Sequence, residues 1–317
     1  MLKRKIYFRA DASATIGYGH FVRTLALADM LKNDFDCTFF TSSPSAYQIE
    51  EMGNVCNHIS LNEGTKFEDF INLLEGDEIV VLDNYFYTTE YQKQIKEKGC
   101  KLVCVDDLHN RHFVSDLILN PAILSCSQYD AEPHTILCLG LEYALLRKPF
   151  LQQDRRVAKE AGSWLLAFGG SDYDNMTEKF LSFLQGDERV TSITVIVGDA
   201  YKYQDNLKRY SKASVYKNLT AEEMNIKMRQ AEYAVLPSST ISIEALACGC
   251  KIANGYFVDN QIETAEMYKR EGYSVGLGNL HEVSDASFID ELLYFKSTKE
   301  LDFSLIPDRY KQIFKSL

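Results

Sequence analysis

Several features that would assign a class at once are missing from this sequence. No stretch approaches the ~20 consecutive apolar residues that span a bilayer, and the start, "MLKRKIYFRADAS", runs straight into a strand-like segment rather than the apolar core of a signal peptide. A cytoplasmic protein with no membrane partner is expected. Positive charge is also scarce: 34 Lys and Arg stand against 45 Asp and Glu, a net charge of −11. Nucleic-acid binding rests on neutralising backbone phosphates with cationic side chains, so this balance argues against it. An anionic ligand would have to be held by helix N-termini and backbone N–H groups. The eight cysteines are not arranged for a metal. Cys248 with Cys250 and Cys100 with Cys104 are the closest pairs, and neither has a second pair or a histidine at zinc-site spacing. Free thiols and no structural metal are expected.

What is present points to an α/β protein. The 317 residues, 46% of them hydrophobic, exceed the roughly 250 at which single cores stop growing, so two domains are expected. Strand-like and helix-like runs alternate along the chain, the pattern of a sheet with crossover helices. In the first half "KIYFRAD", "CTFFTSS", "IVVLDNY" and "KLVCVDD" read as buried strands, with helices at His20 to Lys32, Ala46 to Met52, Phe67 to Leu74 and Thr88 to Lys98. The pattern restarts at "SWLLAFGGS" and continues through "SITVIVGD", "YAVLPSS" and "KIANGYF". Between the two series, the charged stretch around Pro149 has no strand pattern and reads as a linker. The reading is therefore two Rossmann-like doubly wound domains facing across a cleft, residues 1–150 and 151–305. A helix over 306–317 then either closes the second domain or crosses back to the first. Such domains bind ligands at the carboxyl ends of their strands, so the informative residues should follow strands.

The first strand is followed by "ATIGYGHFVRT". Val22 stands where the third glycine of a dinucleotide fingerprint would be, and no acidic residue closes a second strand at the usual interval, so NAD binding is rejected. Gly17 and Gly19 let the backbone turn sharply and approach a ligand, and His20 falls in the first turn of the helix that follows. The positive end of the helix dipole disfavours an imidazolium there. A neutral ring acting as general base is one reading of His20, and a hydrogen bond to the preceding loop is the other. Arg9 and Asp11 end the first strand and either hold the loop or touch substrate, while Arg23 reads as a solvated helix residue.

Two further turns repeat the logic in the second half. "LLAFGGSDYDNMTEKFL" places Gly169 and Gly170 after a strand, where a side chain at Gly170 would block a pyrophosphate, and Ser171 and Asp172 where they could cap the next helix. "VLPSSTISIEALACGCK" sets Ser238, Ser239 and Thr240 before a helix carrying Glu244. Hydroxyls and unpaired N–H groups at a helix start suit phosphate, and Glu244 could accept from two ribose hydroxyls. Alternatively, Ser239 or Thr240 is only an N-cap and Glu244 a buried or solvated helix residue. After the next strand, Asn260 and Gln261 offer amide donors before another helix.

Together these segments resemble a known family. "RADASATIGYGHFVRTLALA", "DNY", "VDDLHNRHFVSDLILNP", "GLEYALLRKPF", "LLAFGGSD" and "SSTISIEALACGCKIANGYFVDNQIETA" look like the UDP-sugar hydrolases of pseudaminic acid biosynthesis, which are GT-B-like in fold. The resemblance implies hydrolysis of UDP-2,4-diacetamido-2,4,6-trideoxy-β-L-altropyranose to UDP and the free sugar, by C–O cleavage at the anomeric carbon, with no cofactor or required metal and as a monomer. It carries over His20 as the catalytic histidine, Tyr85 near the sugar, Glu244 on the uridine ribose and Asn260 near the substrate.

The chemistry of the residues agrees in kind. UDP is a good leaving group, so the protein must position water and take its proton, which a neutral histidine can do. N–H groups at Gly170 and around Ser239 and Thr240 would stabilise the charge developing on UDP. No carboxylate pair of the ordinary glycosidase kind is apparent, although Asp11 or Asp83 could assist His20. The alternatives are a GT-B glycosyltransferase using a UDP-N-acetylated sugar donor, and a non-catalytic nucleotide-sugar-binding partner.

Overall fold

Short apolar runs such as "IVVL" at Ile79–Leu82, buried at every position, are what a strand covered on both faces requires. The computed structural model of the protein describes residues 3–13, 17–122, 125–152, 157–297, 299 and 301–317. The chain divides into two compact units, Met1–Lys148 with Ser304–Leu317, and Pro149–Phe303.

The chain runs β1 (Lys5–Arg9), α1 (Gly19–Leu31), β2 (Asp36–Ser42), α2 (Ala46–Val55), β3 (Asn57–Leu61), α3 (Lys66–Asn72), β4 (Ile79–Leu82), α4 (Thr89–Glu97), β5 (Lys101–Val105), β6 (His112–Phe113), β7 (Leu117–Asn120), β8 (Asp130–Ala131) and β9 (Ile136–Leu139). Seven of these strands form one sheet in the order β3-β2-β1-β4-β5-β7-β9, every pair parallel. After α5 (Lys148–Leu151), the second unit runs β10 (Glu160–Leu166), α6 (Met176–Gln185), β11 (Ser192–Val197), α7 (Gln204–Leu207), β12 (Ala213–Lys217), α8 (Ala221–Gln230), β13 (Ala231–Pro237), α9 (Thr240–Ala247), β14 (Lys251–Tyr256), α10 (Ile262–Arg270), β15 (Ser274–Asn279) and α11 (Ser287–Tyr294). Its parallel sheet has the order β12-β11-β10-β13-β14-β15.

Both sheets start centrally, grow to one edge and then return to grow to the other. The direction reverses between β1 and β4 in the first unit and between β10 and β13 in the second. At such a switch point the loops leaving the two strands diverge and open a crevice at their carboxyl ends. The alternation of apolar runs marks the four strands that flank these points, but not β3, β7, β9, β12 or β15. The edge strands β3, β9 and β12 are largely uncovered and β15 is interrupted by two glycines, so no apolar run announces them; β7 is as buried as β4 but just as short.

The packing of α1 is what aims the first site. His20, Phe21, Thr24, Leu25, Leu27, Ala28 and Leu31 are buried, and the Phe21 ring meets Phe39 of β2 edge-on at 5.4 Å. His20 and Thr24 are four residues apart and so share a face of the helix. The other side of α1 is packed by α12 (Ile306–Ser316), which belongs to the first unit. Tyr310 donates its hydroxyl to the Tyr143 carbonyl, and Lys311 and Lys315 pair with Asp34 at 3.1 and 2.8 Å. In the second unit the core surrounds Trp164, whose ring stacks on Tyr233 at 5.0 Å. All eight cysteines are free thiols.

Candidate active site

Gly17 carries a φ of +83°, which favours glycine, and its N–H bonds the Ser13 carbonyl at 2.8 Å. Gly19 opens α1 with no positive φ, and a Cβ there would meet nothing within 4 Å. The turn is thus made by Gly17, and α1 begins without a side-chain cap among the described residues.

The Nδ1 atom of His20 lies 2.7 Å from Oδ1 of Asp83, the residue that directly follows β4. The His20 side chain is 7% exposed and that of Asp83 0%. Asp83 also accepts from Arg23 Nε at 2.7 Å, Arg23 Nη2 at 2.6 Å and Thr24 Oγ1 at 2.7 Å. Burial alone would push the Asp83 carboxyl up, but the Arg23 guanidinium and His20 outweigh it and hold the group well below the usual carboxylate range. An ionised carboxylate can only accept, so Nδ1 carries a proton, and in the neutral ring the lone pair is therefore on Nε2. Nε2 carries no hydrogen bond among the described residues.

Arg23 is not a solvated helix residue, as its position alone would imply. Its side chain is 13% exposed, and its Nη1 donates to Asp107 Oδ1 at 2.7 Å, just beyond β5. Burial opposes the charge, but Asp107 and Asp83 together raise the guanidinium well above its ordinary value. The second oxygen of Asp107 accepts the Tyr85 hydroxyl at 2.9 Å, and the Tyr85 ring meets His20 edge-on at 4.5 Å. Five residues after β1, β4 and β5 thereby form a closed ring: His20, Asp83, Arg23, Asp107 and Tyr85.

Arg9 and Asp11 form a separate pair. Both are buried, and Arg9 donates to Asp11 through both terminal nitrogens. Asp11 also accepts from the Ser42 N–H at 2.8 Å and lies 3.1 Å from Lys66 Nζ. Burial raises this carboxyl, but Arg9, Ser42 and Lys66 bring it down to about 2. These contacts tie β1 to the end of β2 and to α3. Of the two carboxylates the sequence offers as partners for His20, the structure assigns Asp83.

In the second unit the loops after β10 and β13 leave from adjacent strands, paired at Leu166 and Val235. Gly169 turns with φ +91°, and a Cβ on Gly170 would meet nothing within 4 Å. The constraint falls on Gly198 after β11, whose Cβ would lie 2.5 Å from the Gly170 carbonyl oxygen. Asp172 accepts from the Met176 and Thr177 N–H groups, both at 2.8 Å, so α6 is capped from within. By contrast α9 is uncapped: Ser239 sits at its N-cap position without a side-chain hydrogen bond. The Ser238 hydroxyl is buried with no partner among the described residues. Glu244 is 3% exposed, which removes the solvated reading. Asn260 is exposed in the turn Asp259–Gln261, and Gln261 braces that turn by accepting from the Phe257 N–H at 3.2 Å.

Among the described residues, Glu75, Asp77 and Glu78 are the one acidic group close enough to share a cation. They precede β4, at the opposite end of that strand from Asp83, and Glu78 already accepts from the Glu75 and Gly76 N–H groups. No described helix is long and apolar enough to cross a membrane.

No family model matches the chain. It is 28% identical over 307 residues to an uncharacterized protein of Methanocaldococcus jannaschii, covering 90% of this chain and 62% of that protein, so the chain spans less than two thirds of this relative's length. It is 26% identical over 279 residues to the UDP-2,4-diacetamido-2,4,6-trideoxy-β-L-altropyranose hydrolase of Campylobacter jejuni, covering 86% of this chain and 98% of that one. The spore coat polysaccharide biosynthesis protein SpsG of Bacillus subtilis is 26% identical over 306 residues, covering 93% and 90%. Among solved structures, the calicheamicin glycosyltransferase CalG4 superposes with a TM-score of 0.62 at 11% identity, covering 100% of this chain and 95% of that one. MurG of Acinetobacter baumannii gives 0.61 at 10%, covering 98% and 95%. The fold is that of the GT-B glycosyltransferases, two parallel-sheet α/β domains.

Proposed function

We propose that the protein hydrolyses a UDP-diacetamido sugar, UDP-2,4-diacetamido-2,4,6-trideoxy-β-L-altropyranose or a close relative, to UDP and the free sugar in nonulosonic acid biosynthesis. The observation that carries this reading is the bond between His20 Nδ1 and Asp83, which leaves Nε2 as a base at the switch point of the first sheet. In the proposed step Nε2 takes a proton from water as its oxygen attacks the anomeric carbon. The bond from that carbon to the β-phosphate oxygen breaks, and its electron pair leaves with UDP. The uncapped start of α9, at Ser239 and Thr240, and the N–H groups at Gly170 are assigned to the diphosphate. Glu244 is assigned to the uridine ribose, Asn260 and Gln261 to the substrate, and Tyr85 to the sugar. The roles of the Campylobacter jejuni hydrolase and of SpsG support this reading by similarity.

Proton NMR of the purified protein with candidate UDP-diacetamido sugars, followed over time without an acceptor, tests it. Release of UDP and free sugar, abolished in His20→Asn while UDP still binds, is the expected result. The glycosyltransferase fold favours a second reading, transfer to an acceptor, and UDP release that begins only when an acceptor is added, with the sugar recovered bonded to that acceptor, would establish it. Turnover surviving in His20→Asn would refute the assignment of the base.

A further inference from the structure

A carboxylate bonded to an imidazole does two things at once. It orients the ring, and its negative charge draws a proton onto it. The second effect works against a base, because a protonated ring cannot accept. Among the described residues, the charged or titratable groups facing His20 are Asp83 from the end of β4, Arg23 from its own helix, and Tyr85 with Asp107 behind it from the loops after β4 and β5.

The geometry of Arg23 separates the two effects. Its Nε and Nη2 grip the two oxygens of Asp83 as a fork, and Nη1 reaches Asp107. Only a guanidinium has the fixed, planar set of donors for three such bonds, since an ammonium is a point charge on a flexible stem. Asp106, next in the chain to Asp107, is engaged elsewhere, by the Leu108 and His109 N–H groups and the Tyr129 hydroxyl. The pair Asp106–Asp107 is thus divided between holding its own loop and holding Arg23.

We infer that Arg23, anchored by Asp107, is a positioning residue for the base: its fork locks the Asp83 carboxylate in the orientation that orders the His20 ring, and its charge offsets that of the carboxylate. This rests on the reading of His20 as a base. Asp107 extends the same control to Tyr85, so the base and the tyrosine assigned to the sugar are set by one bridging side chain.

The test uses the full chain with Arg23→Met, Arg23→Lys and Asp107→Asn. Two readouts are taken: the pH dependence of kcat/KM for UDP-sugar hydrolysis, and the NMR titration of His20, identified by its loss in His20→Asn. Removing the Arg23 charge leaves Asp83 uncompensated, so in Arg23→Met the titration and the acid limb of kcat/KM both move to higher pH, by about one unit or more. Arg23→Lys restores the limb toward its original position but not kcat, because the charge returns without the fork. Asp107→Asn removes a negative charge and shifts the His20 titration the opposite way, to lower pH, while KM rises because one amide oxygen cannot accept from both Arg23 and Tyr85 as the carboxylate does. A purely structural role would lower stability and kcat in all three variants with no signed movement of the titration, and that result overturns the inference. If Arg23→Met does not fold, the downward shift in Asp107→Asn decides the matter, and its absence is equally fatal. The titration needs no substrate. A wild-type protein that hydrolyses no UDP-sugar would therefore refute the proposed function while leaving the NMR arm to judge Arg23.

Discussion

Replacing Asp83 by alanine should damage activity and stability for separate, calculable reasons. The carboxylate is fully buried and receives four hydrogen bonds, from His20, Arg23 twice and Thr24. Breaking a buried ion pair by removing one partner costs roughly 3–5 kcal/mol. Arg23 keeps Asp107 in this variant, so the low end applies, about 3 kcal/mol, which for a unit of this size lowers Tm by roughly 6–12 °C. Activity falls by a different route. Arg23 Nη2 already stands 3.2 Å from His20 Nδ1. Without the carboxylate that N–H becomes the donor to Nδ1, the ring proton moves to Nε2, and the lone pair needed to accept from water is gone. By comparison with other histidines deprived of an orienting carboxylate, kcat should drop by on the order of 10³ to 10⁴. The assay is UDP release under saturating UDP-diacetamido sugar, beside a thermal melt and a ¹⁵N spectrum of the histidines that reports the tautomer. Because His20 and Asp83 act as one unit, the double variant with His20→Ala should be scarcely slower than His20→Ala alone. A kcat in Asp83→Ala within about tenfold of wild type, at a temperature where the protein is folded, would refute the reasoning.

Four further outcomes follow from the remaining geometry. The folded Asp11 carboxyl lies at about 2, below its ordinary value of 3.8. Its contribution, roughly 2 kcal/mol, is therefore complete above about pH 4 and lost as pH falls toward 2. In Asp11→Asn the urea midpoint should accordingly be lower than wild type at pH 5 and converge with it near pH 2, and parallel profiles would contradict the assignment. Gly198→Ala places a methyl against the Gly170 carbonyl and should cost about 1–3 kcal/mol in a denaturant melt. Gly170→Ala meets only open space, so it should leave the melt unchanged but weaken UDP in calorimetry, and an unaltered Kd would remove Gly170 from the phosphate site. Glu244→Gln should weaken UDP by roughly tenfold or more, the value of a charge-assisted hydrogen bond. It should leave the 2′,3′-dideoxy analogue unaffected, and equal losses for both would show that Glu244 does not read the ribose.

The parts of the site legible in the sequence are those announced by their own neighbours. Gly17 and His20 stand out because a strand ends just before them and a helix begins at them, and Ser239 with Thr240 stands out for the same reason after β13. Arg23 carries no such mark: the fifth residue of a helix, it reads as a surface cation until Asp83 and Asp107 arrive from 60 and 84 residues away. The choice between Asp11 and Asp83 has the same origin. Both follow buried strands, and only the contacts of Asp11 with Arg9, Ser42 and Lys66 show it occupied elsewhere. Strand order is the missing quantity. Once β4 is known to lie beside β1, and β5 beside β4, the residues just past those three strands are obliged to meet at one end of the sheet, and a histidine, an arginine and two aspartates there can pair in few ways. The same rule in the second unit brings together the loops after β10 and β13, which is where Gly170 and the uncapped start of α9 are found. Topology, rather than any single motif, therefore turns scattered polar residues into a histidine held by a buried carboxylate in one unit and a glycine turn beside an uncapped helix start in the other.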